Sequence, residues 1–193
     1  AERMVAANLD LVGDTFRSSD VVRRFFTAIC GRPYEAGFAL RQAATVGLLG
    51  RYIPEFGAIS GIIRYEDFHH YPVDEHTLRA IEALAALEEM QDPVGRCLRE
   101  SLEHLSDVYI LVMAILFHDL GKAEGDVHVE ESVRLTRRIG ERIGMPEDDL
   151  ERIAFLVQHH LLMTNISQFR DIDDESIVRM FADTVKTEQR LRA

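Results

Sequence analysis

Read for the spacing of its apolar positions, the chain spells helices almost from end to end. After Ser18, Ser19 and Asp20, any of which can cap, apolar residues recur at Val21, Val22, Phe25, Phe26 and Ile29 before Gly31 and Pro33 stop the run. Residues 34–49 carry Phe38, Leu40, Ala43, Ala44 and Val46 on a second helix, which Gly50 closes. The stretch 51–71 is the least regular and holds the aromatic and histidine cluster Phe68-His69-His70-Tyr71. Pro72 and Asp74 then open a helix with Leu78, Ile81, Leu84, Ala85 and Leu87 on one face, and Asp92-Pro93 breaks it. A shorter helix runs to about 105, Asp107 starts the wholly apolar run Val108–Phe117, and Gly121 and Gly125 mark a loop.

An amphipathic helix over about 127–143 follows, ending at Gly144. The string Met145-Pro146-Glu147-Asp148-Asp149 suits the start of the next helix, because proline fits a first turn and carboxylates favour the positive end of the helix dipole. That helix passes through Ile153, Leu156 and Val157 to His159-His160, and Asp173 or Asp174 caps a last one through Ile177, Val178, Met180 and Phe181. No alternating strand pattern longer than a few residues and no internal repeat occur, so the expected fold class is all-α.

Composition narrows the function classes. With 47% hydrophobic residues the 193-residue chain can bury a sizeable core. Its longest apolar run, the ten residues from Val108 to Phe117, is too short to span a membrane and reads as a buried helix. The first residues lack the basic and apolar regions of a signal peptide, so a cytoplasmic location and no membrane partner are expected. A net charge of −11 argues against binding nucleic acid, which needs a basic face. The two cysteines, Cys30 and Cys97, make neither a disulfide framework nor a zinc finger, so any metal must be held by nitrogen and oxygen.

His118-Asp119 is the first anomaly. Ten apolar residues precede the pair, and a carboxylate at the end of a buried helix is costly unless it is paired or ligates a metal. Imidazole beside carboxylate suits a first-row divalent ion, although a hydrogen-bonded histidine and a solvated helix-end aspartate would fit the same pair. His159-His160 close another apolar segment, His76 follows the capping Asp74, and His128 follows the glycine-containing turn after Asp119. Five histidines near helix ends beside one aspartate resemble a ligand set gathered from several helices, as bundles build them. Adjacent helical positions point about a quarter-turn apart, so both His159 and His160 reach one site only at a helix end or across two ions. His104 reads as a surface residue.

His76, then Phe-His-Asp-Leu-Gly-Lys at 117–122, then His128 and His159-His160, resemble the HD superfamily of metal-dependent phosphohydrolases. Further strings resemble the central region of the bifunctional uridylyltransferase/uridylyl-removing family. They are Gly50 to Phe56, Phe68-His69, Val73 to Leu78, His159 to Met163 and Arg170 to Asp174. The resemblance implies an HD helical bundle over 66–193 preceded by an N-terminal helical linker segment over 1–65. It implies a divalent metal, manganese or magnesium, in one or two ions, on His76, His118, Asp119, His128, His159 and His160, with Asp119 and His118 at the catalytic centre. Asp119 would bridge two ions. Lys122 could contact a substrate phosphate, a solvated helix-end lysine being the other reading, and His69 could serve the leaving group or simply pack.

The same resemblance implies removal of uridylyl groups from a PII nitrogen-signalling protein as the activity, and PII as the partner. It further implies a piece of a longer protein that lacks the family's nucleotidyltransferase and ACT domains, with the family's last aspartate ligand falling beyond Ala193 and Asp183 placed too early to replace it. Two other readings stay open: a catalytically weak HD-fold interaction domain, and an HD hydrolase of free nucleotides.

Overall fold

The computed structural model describes residues 2–63, 71–124 and 128–193, and among them every regular element is helical. Short N-terminal pieces, α1 (Glu2–Ala6), a 3₁₀ turn (Leu9–Leu11) and α2 (Asp14–Arg17), lead into α3 (Asp20–Cys30) and α4 (Pro33–Thr45). Then come α5 (Leu48–Tyr52), α6 (Pro54–Ala58), α7 (Val73–Ala86), α8 (Pro93–Glu103) and α9 (Val108–Phe117). A 3₁₀ turn (Leu120–Ala123) precedes α10 (His128–Ile143), α11 (Glu147–His159), α12 (Leu162–Phe169), α13 (Glu175–Val185) and α14 (Glu188–Arg192).

The bundle is organised around α9. A helix that is apolar on every side can only be stable when surrounded, and α9 packs against α3, α4, α7, α10 and α11. Val112, Met113, Leu116 and Phe117 are completely buried, each such side chain contributing roughly 1.5–3 kcal/mol relative to exposure. One apolar cluster runs from Phe26, Leu40 and Tyr52 through Val112 and Leu116 to Ile139 and Ile153, so residues on both sides of position 65 share a core. Helix α7 carries Leu78 and Ile81 into this core and sets His76 one turn from its start.

One helix reading needs correction. The helix of 34–49 does not close at Gly50; it breaks at Gly47, whose left-handed backbone (φ 80°) turns the chain, and Gly50 lies inside α5. The apolar stripe of α3 is only partly buried: Phe26 faces the core while Val21, Phe25 and Ile29 remain exposed, as does Phe38 on α4. Helix α12 went unread, because Leu161 to Phe169 has only one buried position, Ile166, to announce it.

One buried ion cluster ties the N-terminal half to α10. The Glu55 side chain is 4% exposed and accepts from Arg142 at 2.7 Å on both oxygens and from Arg138 at 2.8 Å. Burial pushes its carboxyl pKa up, and the hydrogen bonds from Arg142 and Arg138 more than offset this, holding it down at about 2.

Candidate metal centre

The end of α9 delivers two donors at once. His118 caps the helix, where the last carbonyls lack intrahelical partners. Its Nδ1 lies 2.7 Å from the Ile115 carbonyl, which can only accept, so Nδ1 carries the proton. His160 repeats the device at the end of α11, with Nδ1 donating to the Val157 carbonyl at 2.7 Å. Each ring therefore turns its Nε2 the other way, in the tautomer and orientation of metal-ligating histidines.

His118 Nε2 faces Asp119 Oδ2 at 3.0 Å. With Nδ1 already donating, a neutral His118 would oppose a lone pair to a carboxylate oxygen, an arrangement that calls for a cation between them, proton or metal. Asp119 itself is 2% exposed, and its Oδ1 is buried with no hydrogen-bond partner among the described residues. Burial pushes the Asp119 carboxyl pKa up. The hydrogen bond from His118 and the charges of His118 and Lys122 overcome that, and the group stays well below the usual carboxylate range, ionised at any physiological pH. An ionised, buried carboxylate with one oxygen unanswered is the chemistry of a metal ligand.

Around it stand the other histidines. His76 Nε2 lies 3.8 Å from Asp119 Oδ2, and its ring is 5.5 Å from that of His118. The His118 and His160 rings are 5.0 Å apart, and His160 and His128 6.3 Å. The donor atoms fall into two sets, His76–His118–Asp119 and Asp119–His128–His160, each within 4.8 Å of one another. Asp119 belongs to both. Burial holds the His160 pKa below its ordinary value despite the Val157 hydrogen bond, so its Nε2 keeps a lone pair.

Local packing explains how α10 brings His128 here. Gly121 donates to the Ser132 hydroxyl at 2.9 Å, and a Cβ on Gly121 would lie 2.7 Å from the Ser132 nitrogen. Only glycine lets the turn after Asp119 lie this close to the first turns of α10. Ser132, fully buried, was not anticipated; a small hydroxyl one turn past a histidine, opposite a glycine, was the available signal.

Two expected residues are placed differently. His159 joins neither donor set: a quarter-turn from His160, its ring lies tilted against Phe155 with centroids 4.5 Å apart, and burial together with the Arg190 charge lowers its pKa. Lys122 is no solvated helix-end lysine. It is 3% exposed, and its ammonium sits 3.0 Å from Asp119 Oδ2. His69 lies outside the described residues. Asp183 is exposed on α13, and His104 is exposed at the end of α8.

Residues 73–188 match the family model of the HD domain, more than half of the chain and including every donor of the two sets. The chain belongs to the HD-domain family. HD domains bind divalent metals, and the donors assembled here are of the kind such ions take. This HD domain is 36% identical over 198 residues to the bifunctional uridylyltransferase/uridylyl-removing enzyme of Ruegeria pomeroyi, covering 99% of the chain. It is 35% identical over 193 residues to the protein of the same name from Cereibacter sphaeroides. The chain spans about a fifth of the length of these relatives (21%). Among the described residues no single helix is long and apolar enough to cross a membrane.

Proposed function

We propose that this HD domain hydrolyses a phosphodiester, and that its substrate is a uridylylated PII-type signalling protein from which it removes uridylyl groups. The observation that supports this reading most is Asp119, a buried, ionised carboxylate with a partnerless oxygen, shared by two histidine sets. His76 and His118 on one side and His128 and His160 on the other would hold one ion each, with Asp119 common to both. Bound divalent ions would supply positive charge for the phosphoryl oxygens and a more acidic water.

The chain's own residues have defined parts. The Ile115 and Val157 carbonyls take the Nδ1 protons of two imidazoles, which leaves one Nε2 lone pair for each of the two donor sets that share Asp119. Lys122 sits against Asp119 and favours its ionised form, which makes it a positioning residue. Hydrolysis adds the water oxygen to phosphorus, breaks the bond to one ester oxygen and gives that oxygen a proton. Manganese or magnesium is the proposed cofactor: the Asp119 carboxylate suits either, and the four imidazoles favour the first-row ion manganese over magnesium.

The test is release of UMP from a uridylylated PII protein by the metal-loaded domain, with Asp119→Asn as control. Turnover that disappears in Asp119→Asn is expected. A folded, metal-loaded protein that leaves uridylylated PII untouched, and shows no Asp119-dependent phosphodiesterase activity on any nucleotide ester, overturns the reading in favour of an interaction domain.

A further inference from the structure

The two donor sets differ in what holds them together. His76, His118 and Asp119 come from α7 and from the end of α9, and Asp119 follows His118 directly in the chain. The Ile115 carbonyl holds His118, and the Asp119 carboxylate has His118 Nε2 and Lys122 Nζ beside it, each 3.0 Å from Oδ2. None of these contacts reaches α10. The other set joins Asp119 to His128, the first residue of α10, and to His160, the C-cap of α11. Its geometry depends on where the start of α10 sits against the turn that follows Asp119.

A buried hydroxyl fixes that seat. Ser132, one helical turn after His128, is fully buried and accepts from the Gly121 N–H at 2.9 Å. Gly121 lies in the 3₁₀ turn after Asp119, and Lys122 N–H closes that turn onto the Asp119 carbonyl at 3.1 Å. The approach is tight: a Cβ on Gly121 would overlap the His128 carbonyl oxygen and stand 2.9 Å from Glu131 Cβ. The first N–H groups of a helix have no intrahelical partners, so the His128 end of α10 is ordered by what it docks on. Resting on the two-ion reading above, we propose that Ser132 is a positioning residue for one ion: by anchoring Gly121, its hydroxyl sets His128 against Asp119 and governs the Asp119–His128–His160 site alone. The asymmetry follows from connectivity. Without the hydroxyl a buried N–H loses its acceptor, and the turn relieves this by moving off α10. That motion parts Asp119 from His128, which stand on opposite sides of the bond. It parts no two donors of the His76–His118–Asp119 set, which stand on the same side.

Metal binding, without turnover, tests this. Manganese is titrated by equilibrium dialysis into the native chain, Ser132→Ala and Thr136→Val, and the bound ions are followed by electron paramagnetic resonance. Thr136 controls for the loss of a buried hydrogen bond as such: it is fully buried, and its hydroxyl donates to the Ser132 carbonyl at 2.7 Å within α10. The native chain should bind two ions. Ser132→Ala should weaken one of them about 10–100-fold, the range for supporting groups around metal ligands, and leave the other at native affinity. At manganese levels between the two constants, Ser132→Ala should give the spectrum of an isolated ion where the native chain gives that of two interacting ions. Added to His128→Ala, Ser132→Ala should cost nothing further; added to His76→Ala, it should weaken the ion that remains. Thr136→Val should keep both affinities, whatever its Tm. Two ions at native affinity in Ser132→Ala overturn the proposal and leave the two-ion reading standing. Equal weakening of both ions in Ser132→Ala, the same split in Thr136→Val, or a further loss on top of His128→Ala overturns it equally, because the hydroxyl would then act on the scaffold as a whole. Fewer than two ions on the native chain overturn the two-ion reading itself, and the proposal with it.

Discussion

Because Asp119 belongs to both donor sets, its loss and the loss of a single histidine should differ in kind. Asp119→Asn keeps size and one acceptor oxygen and removes the charge that both sets share. His76→Ala and His128→Ala each remove a donor from one set only. The native chain should therefore bind two manganese ions in equilibrium dialysis, each histidine variant about one, and Asp119→Asn none at comparable free metal. The thermal consequence can be sized. An ion present at about a hundred times its dissociation constant stabilises the folded state by about 2.7 kcal/mol. In a domain of this length each kcal/mol moves Tm by roughly 2–4 °C, so a native shift of roughly 5–10 °C per ion is expected. Each variant is compared with itself in chelator, because Asp119→Asn also removes the carboxylate charge beside buried Lys122 and lowers the metal-free Tm. Two ions retained by Asp119→Asn at near-native affinity would refute the shared-carboxylate argument. So would complete loss of both ions in His76→Ala, which would mean a single site.

The scaffold around the centre yields three further expectations. Glu55→Gln should cost about 3 kcal/mol at pH 7 in urea unfolding, since a carboxyl held at about 2 instead of its ordinary 4.5 is worth roughly that much. The Glu55 contribution is present above about pH 4.5 and is lost as pH falls toward about 2, so native and variant stabilities should converge over that interval and not above it. Gly121→Ala should weaken metal binding roughly 10–100-fold, as supporting contacts around metal ligands do, and lower the metal-free Tm, because the added methyl meets Ser132. Leu116→Ala, emptying a completely buried position next to the donors, should cost about 2–5 kcal/mol with the helical circular dichroism signal retained at 25 °C.

Which parts of the fold the sequence discloses follows from where burial is decisive. The uniformly apolar α9 announces itself because nothing but complete burial tolerates it, and Asp92 and Asp174 mark helix starts because their side chains accept from Val94, Gly95 and Ser176 nitrogens. Where burial is partial, periodicity misleads. The residues Val21, Phe25 and Ile29 make a regular apolar stripe on α3, yet the helix meets the core mainly through Phe26 and Cys30. The Gly47 break was obscured by Gly50 three residues on: both are glycines at the end of an apolar run, and only the backbone distinguishes the one with positive φ.

At the centre, residue type and placement at helix ends were legible, whereas orientation was not. His159 and His160 are indistinguishable as letters, and both terminate the same helix. What separates them is that His160 occupies the cap, where the Val157 carbonyl is free to take its Nδ1 proton, while His159 is still inside the last turn and points toward Phe155. His118 at the end of α9 makes the same i−3 contact. At these two helix ends the C-cap histidine gives its Nδ1 proton to the i−3 carbonyl, is fixed as the Nδ1–H tautomer and leaves Nε2 outside that bond, whereas the His159 ring packs against Phe155. Two helices ending this way bring one imidazole to each of the two donor sets that share the buried Asp119 carboxylate. His76 and His128, at the other ends of their helices, lack that device, and their positions near Asp119 depend on the packing of α7 and α10 against the α9 terminus.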